Sequence, residues 1–287
     1  MQKMDKWCPK CQQSLSRDEF YRNAAQSDGL APYCKPCWSE ICSKRHARLR
    51  EGLSDKRRVQ MDLVRHDYFK CIERPIQAYV LGLLASDGNV GSDRPRIQFS
   101  VHEEDRILTE IVRDELAPGS PIMMPPCRTY RLAKVHFTSP GMYANLARLG
   151  IVPRKSHILT WPEMLTRDFI NSYLLGVFDG DGWITIDKRK PKLYYTLGII
   201  SASPTFLERA AQEIAAAIDV PLARLSAVNQ RAFTIRYGGK SAILMSEWLH
   251  RDLSGLERKR ISLNTTHEFP VTLLSPDSSS TSSLLTS

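Results

Sequence analysis

The chain has 287 residues, 42% of them apolar and 25% charged, which are ordinary proportions for a globular protein with a buried core. The sequence contains no apolar run long enough to span a membrane, and MQKMDKWCPK lacks the apolar core of a signal peptide. The 40 lysines and arginines against 31 acidic residues give a net charge of +9, which favours nucleic acid as partner, with a merely basic soluble protein as the alternative. We therefore expect an intracellular protein, in the cytoplasm of a bacterium or a phage-infected host, with no membrane partner.

Four of the seven cysteines form two CxxC pairs near the N-terminus. Cys8 and Cys11 make the first pair, and Cys34 and Cys37 make the second after a spacing of 22 residues. An odd number of cysteines without an export signal argues against a disulfide framework. Because each pair can present two thiolates to one tetrahedral ion, the spacing predicts a structural zinc module over residues 1–45. A redox CxxC motif and free packed cysteines are the alternatives.

The sequence around these pairs adds further detail. Cys42 and His46 lie close enough to the second pair to replace one ligand, whereas Cys71 and Cys127 stand alone and are expected in the core. The segment 7–37, with a Phe-Tyr pair and an Asp-Gly-Leu step before the second CxxC, resembles the small zinc modules attached to phage-type nucleases. Residues 46–70 are strongly basic and predict a helical linker that contacts phosphates, with a solvated helix face as the alternative.

Beyond the linker, two similar apolar decapeptides occur in the sequence. YVLGLLASDG occupies residues 79–88 and YLLGVFDGDG occupies 173–182, and five of the ten positions are identical. The closing aspartates, Asp87 and Asp181, lie 94 residues apart, and a similar series of elements follows each copy. This is an internal duplication. Taken singly, each copy is also compatible with a core helix or with a buried strand that enters a turn.

The elements after each copy follow from periodicity. In the first repeat, residues 94–102 alternate as a strand with one polar face, 103–116 form an amphipathic helix, 130–138 a second strand, and 140–151 a helix. In the second repeat, 183–187 and 193–201 are strands, 204–218 a helix, 231–238 a strand, and 240–251 the closing helix. The repeats are expected over 71–165 and 166–268. The Ser/Thr-rich tail, 269–287, is expected to be disordered.

The repeated decapeptides have a physical interpretation as a helix pair. Gly82 and Ser86 in the first copy, like Gly176 and Gly180 in the second, place small residues one turn apart on one helix face. Two such grooves allow close packing, with a left-handed glycine cap expected after each aspartate.

Packing of this kind brings the two closing aspartates side by side, where they repel unless a cation lies between them. The oxygen ligands, Asp87 and Asp181 with the carbonyls of Ser86 and Gly180, suit Mg²⁺ for phosphodiester cleavage. The DGDG sequence is not a calcium loop, because Lys190 stands where that loop needs its closing glutamate.

These residues resemble a known family, the LAGLIDADG homing endonucleases in their single-chain, two-motif form. The resemblance spans residues 72–268, with the final acid of each motif at Asp87 and Asp181. The segments GIVPRKSHIL (150–159) and SGLERKRISL (254–263) resemble the basic stretch that ends each family repeat, and this resemblance implies that Lys155 and Lys259 are the active-site lysines. Ser100 matches a polar, water-holding strand position. Its match in the second repeat is the apolar Ile199, and motif one has Ala85 where the consensus has an acid.

The resemblance implies an α+β protein with a duplicated αββαββα fold, in which two four-stranded antiparallel sheets form a DNA-binding saddle beside the N-terminal zinc module. It implies a monomeric, site-specific double-strand DNA endonuclease that uses Mg²⁺ on a long asymmetric target. The predicted DNA contacts on polar strand faces are Arg96, Gln98, Lys134, His136, Thr185, Arg189 and Arg236.

Two alternative functions stay open. The first is a non-cutting protein of the same fold, either an intron maturase that binds RNA or a transcriptional regulator. The second is a protein whose zinc module binds DNA while the duplicated region serves as an interaction scaffold.

Overall fold

The computed structural model of the chain describes residues 5–23, 26–51, 63–127, 129–189 and 193–261, with the main chain alone at 45–51. Much of the predicted linker, the side chain of His46 and the whole predicted tail lie outside the described residues. Within them, none of the helices is both long and apolar enough to cross a membrane.

The N-terminal module consists of two small hairpins and a helix. Strand β1 (Lys6–Cys8) pairs with β2 (Gln13–Leu15), and β3 (Phe20–Arg22) pairs with β4 (Leu30–Cys34), both antiparallel. Helix α1 (Lys35–Glu51) follows directly. The small core of the module contains Phe20 and three buried cysteines. A core of this size stabilises little by itself, which is typical of a segment folded around a metal.

The first repeat begins with helix α2 (Pro75–Ser86), which leads into β5 (Gly88–Val90) and β6 (Arg96–His102). Helix α3 (Arg106–Leu116), strands β7 (Pro126–Cys127) and β8 (Tyr130–Thr138), and helix α4 (Pro140–Arg148) complete it. The strands form one antiparallel sheet in the order β5-β6-β8-β7. The predicted order of helix, two strands, helix, two strands and helix is therefore confirmed.

The second repeat has the same element order. Helix α5 (Ile170–Asp181) leads into β9 (Gly182–Asp187) and β10 (Tyr194–Ser201), followed by α6 (Pro204–Ile218). Strands β11 (Ser226–Asn229) and β12 (Ala232–Gly238) and helix α7 (Lys240–Leu249) end it. This sheet has the order β9-β10-β12-β11, the same arrangement as in the first repeat. The duplicated α+β architecture predicted from the sequence is present.

Each sheet buries one face under its own helices. Helices α3 and α4 pack on the first sheet, and α6 and α7 pack on the second. Along β6, Ile97 and Phe99 are buried while Gln98 and Ser100 between them are half-buried on the opposite face. The alternation follows from the period of two in a strand. It leaves each sheet with a polar face that no helix covers among the described residues.

The two motif helices, α2 and α5, pack against each other at their glycines. A methyl group added to Gly82 would clash with the Tyr173 carbonyl oxygen and lie 3.0 Å from the Gly176 Cα atom. A methyl group on Gly176 would meet the Tyr79 carbonyl oxygen and the Gly82 Cα atom in the same way. The backbones are therefore in direct contact, as the small residues predict.

The predicted left-handed glycine caps are wrong. Gly182 has φ −87° and ψ 159°, and neither Gly88 nor Gly182 has a positive φ. Both glycines instead begin a strand directly under the preceding helix. A Cβ atom on Gly88 would lie 2.7 Å from the Leu84 Cα atom, and one on Gly182 would clash with the Phe178 ring, 2.7 Å from its Cγ atom. Glycine is required here by close approach, not by backbone conformation.

Candidate active site at the ends of the motif helices

The motif helices end side by side, and each ends in an aspartate. Asp87 caps α2, and Asp181 is the last residue of α5. The Gly180 backbone lies against the other helix end, because a Cβ atom there would be 2.6 Å from the Asp87 Oδ2 atom. Asp87 is half-buried and Asp181 is exposed. The glycine contacts between the helices thus place two carboxylates together at one open edge.

The environment of the pair shifts the pKa of both carboxyl groups upward. Asp181 is open to solvent on one side, yet the surrounding protein removes part of its hydration. This loss, together with the negative charge of Asp87, raises the pKa of Asp181 to about 6. Loss of hydration also raises the pKa of Asp87, although the positive charges of Lys155 and Lys259 oppose the rise. Such a pair of close carboxylates is suited to hold a divalent cation.

Lys155 reaches the end of α2 from the loop after α4. Its Nζ atom donates to the Ser86 carbonyl at 2.9 Å and to the Gly88 carbonyl at 2.7 Å. The last carbonyls of a helix have no partner within the helix, and a cation satisfies them while opposing the negative end of the helix dipole. The side chain is buried, and this burial lowers the pKa of Lys155 although Asp181 and Asp87 favour its charged form.

Lys259 occupies the corresponding position at the end of α5. Its Nζ atom donates to the carbonyls of Phe178 at 2.9 Å, Asp179 at 2.7 Å and Gly180 at 3.3 Å. Burial lowers its pKa, and the nearby Arg258 lowers it further. Both lysines therefore lie behind the aspartate pair. The carbonyls of Ser86 and Gly180, predicted as metal ligands, already accept hydrogen bonds from these lysines.

The polar face of the first sheet carries five of the predicted site residues. Ser100 is opposite Lys134 and Gln98 is opposite His136 across the β6–β8 pair, with Arg96 at the end of β6. All five lie on the uncovered face. His136 is half-buried, and its Nδ1 atom has no hydrogen-bond partner among the described residues. Burial and the charges of Arg96 and Lys134 lower the pKa of His136.

The second sheet carries fewer of them. Thr185 on β9 and Arg236 on β12 are exposed on the uncovered face. Arg189, predicted on a strand face, lies beyond the end of β9, and its Nε atom is 2.9 Å from the Asp187 Oδ1 atom. The strand prediction for Arg189 is therefore wrong, because the polar run Asp-Lys-Arg continues past the last strand residue and pairs locally.

The predicted counterpart of Ser100 also needs correction. Gly88 pairs with Phe99 in the first sheet, and Gly182 pairs with Ile199 in the second. Ile199 thus matches Phe99 in the core, and Ile200 is the residue that matches Ser100. Because Ile200 is also apolar, the second repeat still lacks a hydroxyl at this position.

Two residues near the site were missed in the sequence. Trp183, two residues after Asp181, covers Gly198 on the polar face of the second sheet, since a Cβ atom on Gly198 would lie 2.5 Å from its ring. Asp179 is 2% exposed inside the second motif helix. Its position as an acid within an apolar run was the available signal, because an unpaired buried carboxylate is costly.

The four cysteines of the two CxxC pairs form one cluster. The sulfur atoms of Cys8, Cys11, Cys34 and Cys37 all lie within 4.8 Å of one another. The Cys11 and Cys34 sulfurs are 3.9 Å apart, close to the roughly 3.8 Å expected for sulfurs about 2.3 Å from a tetrahedral zinc. Burial raises the pKa of Cys8, but backbone N–H groups, including that of Cys34, outweigh it and lower that pKa to about 6. The donor set fits a structural zinc ion.

The remaining cysteines are outside this cluster. Cys42 is half-buried on α1 and contributes no sulfur to the group. Cys127 is half-buried, and Cys71 is exposed, so the prediction that both are core residues is wrong. Cys71 lies in the turn before α2, where the apolar pattern of the helix has not yet begun.

No family model and no curated protein matches the sequence. Similar solved structures include a mesophilic variant of the homing endonuclease I-DmoI, with 18% identity, 56% of this chain and 82% of that chain covered, and a TM-score of 0.39. The N-terminal LAGLIDADG domain of DUF199/WhiA has 14% identity, 72% and 96% coverage, and a TM-score of 0.43. The meganuclease I-SmaMI bound to uncleavable DNA has 9% identity, 62% and 84% coverage, and a TM-score of 0.41. Of these three structures, the DUF199/WhiA domain is the one described as a LAGLIDADG domain, and the other two are described as a homing endonuclease and a meganuclease.

Proposed function

We propose that the protein is a site-specific double-strand DNA endonuclease. The observation that carries the proposal is the repeated constellation at the helix ends, with Asp87 and Lys155 from one repeat and Asp181 and Lys259 from the other. Two equivalent centres, joined by one helix pair, suit the cleavage of two antiparallel DNA strands. The resemblance of both motifs to those of LAGLIDADG endonucleases supports the same conclusion.

The chain's own residues have distinct roles in this proposal. Asp87 and Asp181 would hold Mg²⁺, which when bound activates water and stabilises the leaving oxygen in phosphodiester hydrolysis. The two buried lysines fix the helix ends through main-chain carbonyls and keep positive charge behind the carboxylates. Ser100, opposite Lys134 across the β6–β8 pair, would orient a water molecule in the first repeat.

The polar faces of the two sheets would bind the DNA. Arg96, Lys134 and Arg236 carry positive charge that attracts phosphates, while Gln98 and His136 can bond to base edges. The first sheet presents most of these groups, so we expect it to supply more of the sequence readout. The chain is expected to act as a monomer, because it contains both repeats.

We assign a structural zinc ion to the N-terminal cluster of Cys8, Cys11, Cys34 and Cys37. The metal would hold the two hairpins and the start of α1 together, where the apolar core is small. Deletion of residues 1–45 should weaken binding or shorten the footprint, while cleavage at the centre of the site survives. Complete loss of DNA binding would instead favour the zinc module as the main DNA-binding part.

The test of the proposed activity is selection of cleaved sites from a random duplex library with Mg²⁺ present. The expected result is one enriched long, asymmetric sequence cut on both strands. A pool without any enriched cleaved sequence would contradict the proposal. The same incubation without added Mg²⁺ serves as the matched control, because it withholds the catalytic metal without a chelator that would also remove the structural zinc.

One observation favours a second candidate, a non-cutting DNA- or RNA-binding protein of the same fold. The lysine hydrogen bonds to Ser86 and Gly180 occupy two carbonyls that were expected to bind the metal. Under this alternative, the same library yields an enriched bound sequence without a cut product. Competition between duplex DNA and structured RNA would then distinguish a regulator from an intron maturase.

A further inference from the structure

The second motif helix contains a buried acid that is not part of the aspartate pair. Asp179 lies two residues before Asp181 and is 2% exposed. The matching position in the first motif is Ala85, so the first repeat has no equivalent carboxylate. A carboxylate is costly to bury unless other groups bind it.

The carboxylate of Asp179 joins the other repeat to the loop that carries Lys259. Its Oδ2 atom accepts a hydrogen bond from the Tyr79 hydroxyl at 2.7 Å and another from the Leu256 N–H at 3.0 Å. The loop can approach this closely because Gly255 has φ +60° and no side chain, and a Cβ atom there would lie 2.8 Å from Oδ2. Tyr79 belongs to α2, and Leu256 lies three residues before Lys259.

The main chain of Asp179 holds the other end of the same loop. Its carbonyl accepts the 2.7 Å hydrogen bond from the Lys259 Nζ atom. One residue therefore binds the loop twice, through its carboxylate at Leu256 and through its carbonyl at Lys259. Its Oδ1 atom is buried and makes no hydrogen bond to any described residue.

The loop of the first repeat is held differently. Ile151, which follows the left-handed Gly150 as Leu256 follows the left-handed Gly255, donates its N–H at 2.9 Å to the Leu146 carbonyl at the end of α4. Lys155 then reaches the Ser86 and Gly88 carbonyls, and no carboxylate of the described residues bonds to its loop. The two lysines occupy equivalent places, but within the described part of the chain only the loop of Lys259 is bonded to a motif-helix side chain.

We propose that Asp179 is a positioning residue that fixes Lys259 against its helix end, so that the two cleavage centres depend on different supports. The cleavage part of this inference rests on the proposed nuclease function. Loss of the Asp179 carboxylate should release the loop at Leu256 and displace Lys259, while Lys155 keeps its place. One strand of the DNA would then be cut more slowly than the other.

The experiment compares Asp179→Ala with wild type on a supercoiled plasmid that carries the selected site, with each strand labelled separately. We expect nicked DNA to accumulate because one strand is cut about tenfold or more slowly while the other stays within about twofold of wild type. The slowed strand should be the one that Lys259→Met slows. Asp179→Asn should cut nearly as wild type, because its amide oxygen still accepts the bonds from Tyr79 and Leu256.

Two controls separate positioning from general destabilisation. Leu207→Ala removes buried volume from α6 in the same repeat and should slow both strands equally if it slows them at all. Tyr79→Phe removes one of the two bonds to the carboxylate and should give a smaller change on the same strand as Asp179→Ala. It also provides the test if Asp179→Ala does not fold. An equal loss on both strands in Asp179→Ala or Tyr79→Phe would overturn the inference.

Amide hydrogen exchange gives a readout that needs no nuclease activity. In Asp179→Ala, or in Tyr79→Phe to a smaller extent, the Leu256 amide should exchange faster than in wild type, while the Ile151 amide in the first repeat stays unchanged. Unchanged exchange at Leu256 would overturn the positioning role. If wild type cuts no DNA but Leu256 exchange rises as expected, the proposed function fails and the positioning of Lys259 stands.

Discussion

The contact between Gly82 and Gly176 makes a strong prediction about stability. In Gly82→Ala, the new Cβ atom would lie 2.9 Å from the Val177 nitrogen and 3.0 Å from the Gly176 Cα atom. Both neighbours are backbone atoms, so no flexible side chain can move aside. To restore an ordinary separation of about 3.5–4.0 Å between the new Cβ atom and these backbone atoms, the two helices must move apart by roughly 0.5–1 Å. This movement loses about a quarter to a half of the van der Waals energy of each contact between them.

The expected magnitude follows from two opposing effects. Overpacking of a core costs about 1–3 kcal/mol, and the upper end applies here because backbone faces backbone. Alanine is favoured over glycine inside a helix by about 1 kcal/mol, which offsets part of that cost. We therefore expect Gly82→Ala to lower the free energy of unfolding by about 2 kcal/mol, and the melting temperature by roughly 4–8 °C.

Thermal unfolding checks this prediction against a matched substitution. In Gly141→Ala on α4, the nearest atoms to the new Cβ are the His66 carbonyl oxygen at 3.2 Å and an Asp67 oxygen at 3.7 Å, so the change should stay within about 1 kcal/mol. Gly176→Leu should prevent folding of the helix pair. If Gly82→Ala melts at or above the wild-type temperature, with no larger effect than Gly141→Ala, the helices do not pack through their glycines.

Three further predictions concern the metal module, the acid pair and the buried lysines. Metal analysis should find one zinc per chain. Cys34→Ser should lose this zinc, and about the first 40 residues should lose their protection from protease. Absence of zinc from purified, reduced wild-type protein would contradict the assignment. Because folding raises the pKa of Asp181 to about 6 from 3.8, its charged form opposes folding above that pH. Asp181→Asn should therefore raise the melting temperature of the Mg²⁺-free protein at pH 8 and leave it unchanged below the unfolded pKa. An equal rise at both pH values would refute the titration of Asp181. Lys259→Met removes the lysine donor from three carbonyls, of which only that of Phe178 keeps another partner among the described residues, the Gly182 N–H, and should cost about 1–3 kcal/mol. Urea unfolding beside the exposed Lys240→Met measures this cost, and equal values for the two variants would exclude the capping role.

The sequence predicted those elements whose local signals agree. The structure places α6 at Pro204–Ile218 and β8 at Tyr130–Thr138, the same bounds that the apolar pattern gave. Helices α4 and α6 each begin with a Ser-Pro step, and Ser139 and Ser203 accept hydrogen bonds from the first helical turn. Periodicity and capping chemistry suffice in such cases. Strand β7, with two residues, is too short to have a period.

The sequence predicted the two acids of the site, but it did not predict the hydrogen bonds that hold the surrounding loops in place. Asp87 and Asp181 follow from the duplicated decapeptides, because the small residues dictate how the helices pack. The lysines were placed only by their match to a family motif, since an Arg-Lys step does not indicate which carbonyls the side chain will reach. The hydrogen bond that the Leu256 N–H donates to Asp179 joins residues 77 positions apart, and no local pattern predicts it.

The most direct test of the central claim is cleavage by Asp87→Asn and Asp181→Asn beside a binding titration on the same duplex. Each variant should lose double-strand cleavage, because the lost carboxylate no longer holds the metal that stabilises the transition state. Binding should stay equal or tighten, because one negative charge near the phosphates is removed. Asp114→Asn makes the same chemical change on the exposed side of α3 and should cut as wild type. If either active-site variant still cuts both strands at the wild-type rate, that aspartate is not catalytic and the duplicated decapeptide serves only to pack the two helices.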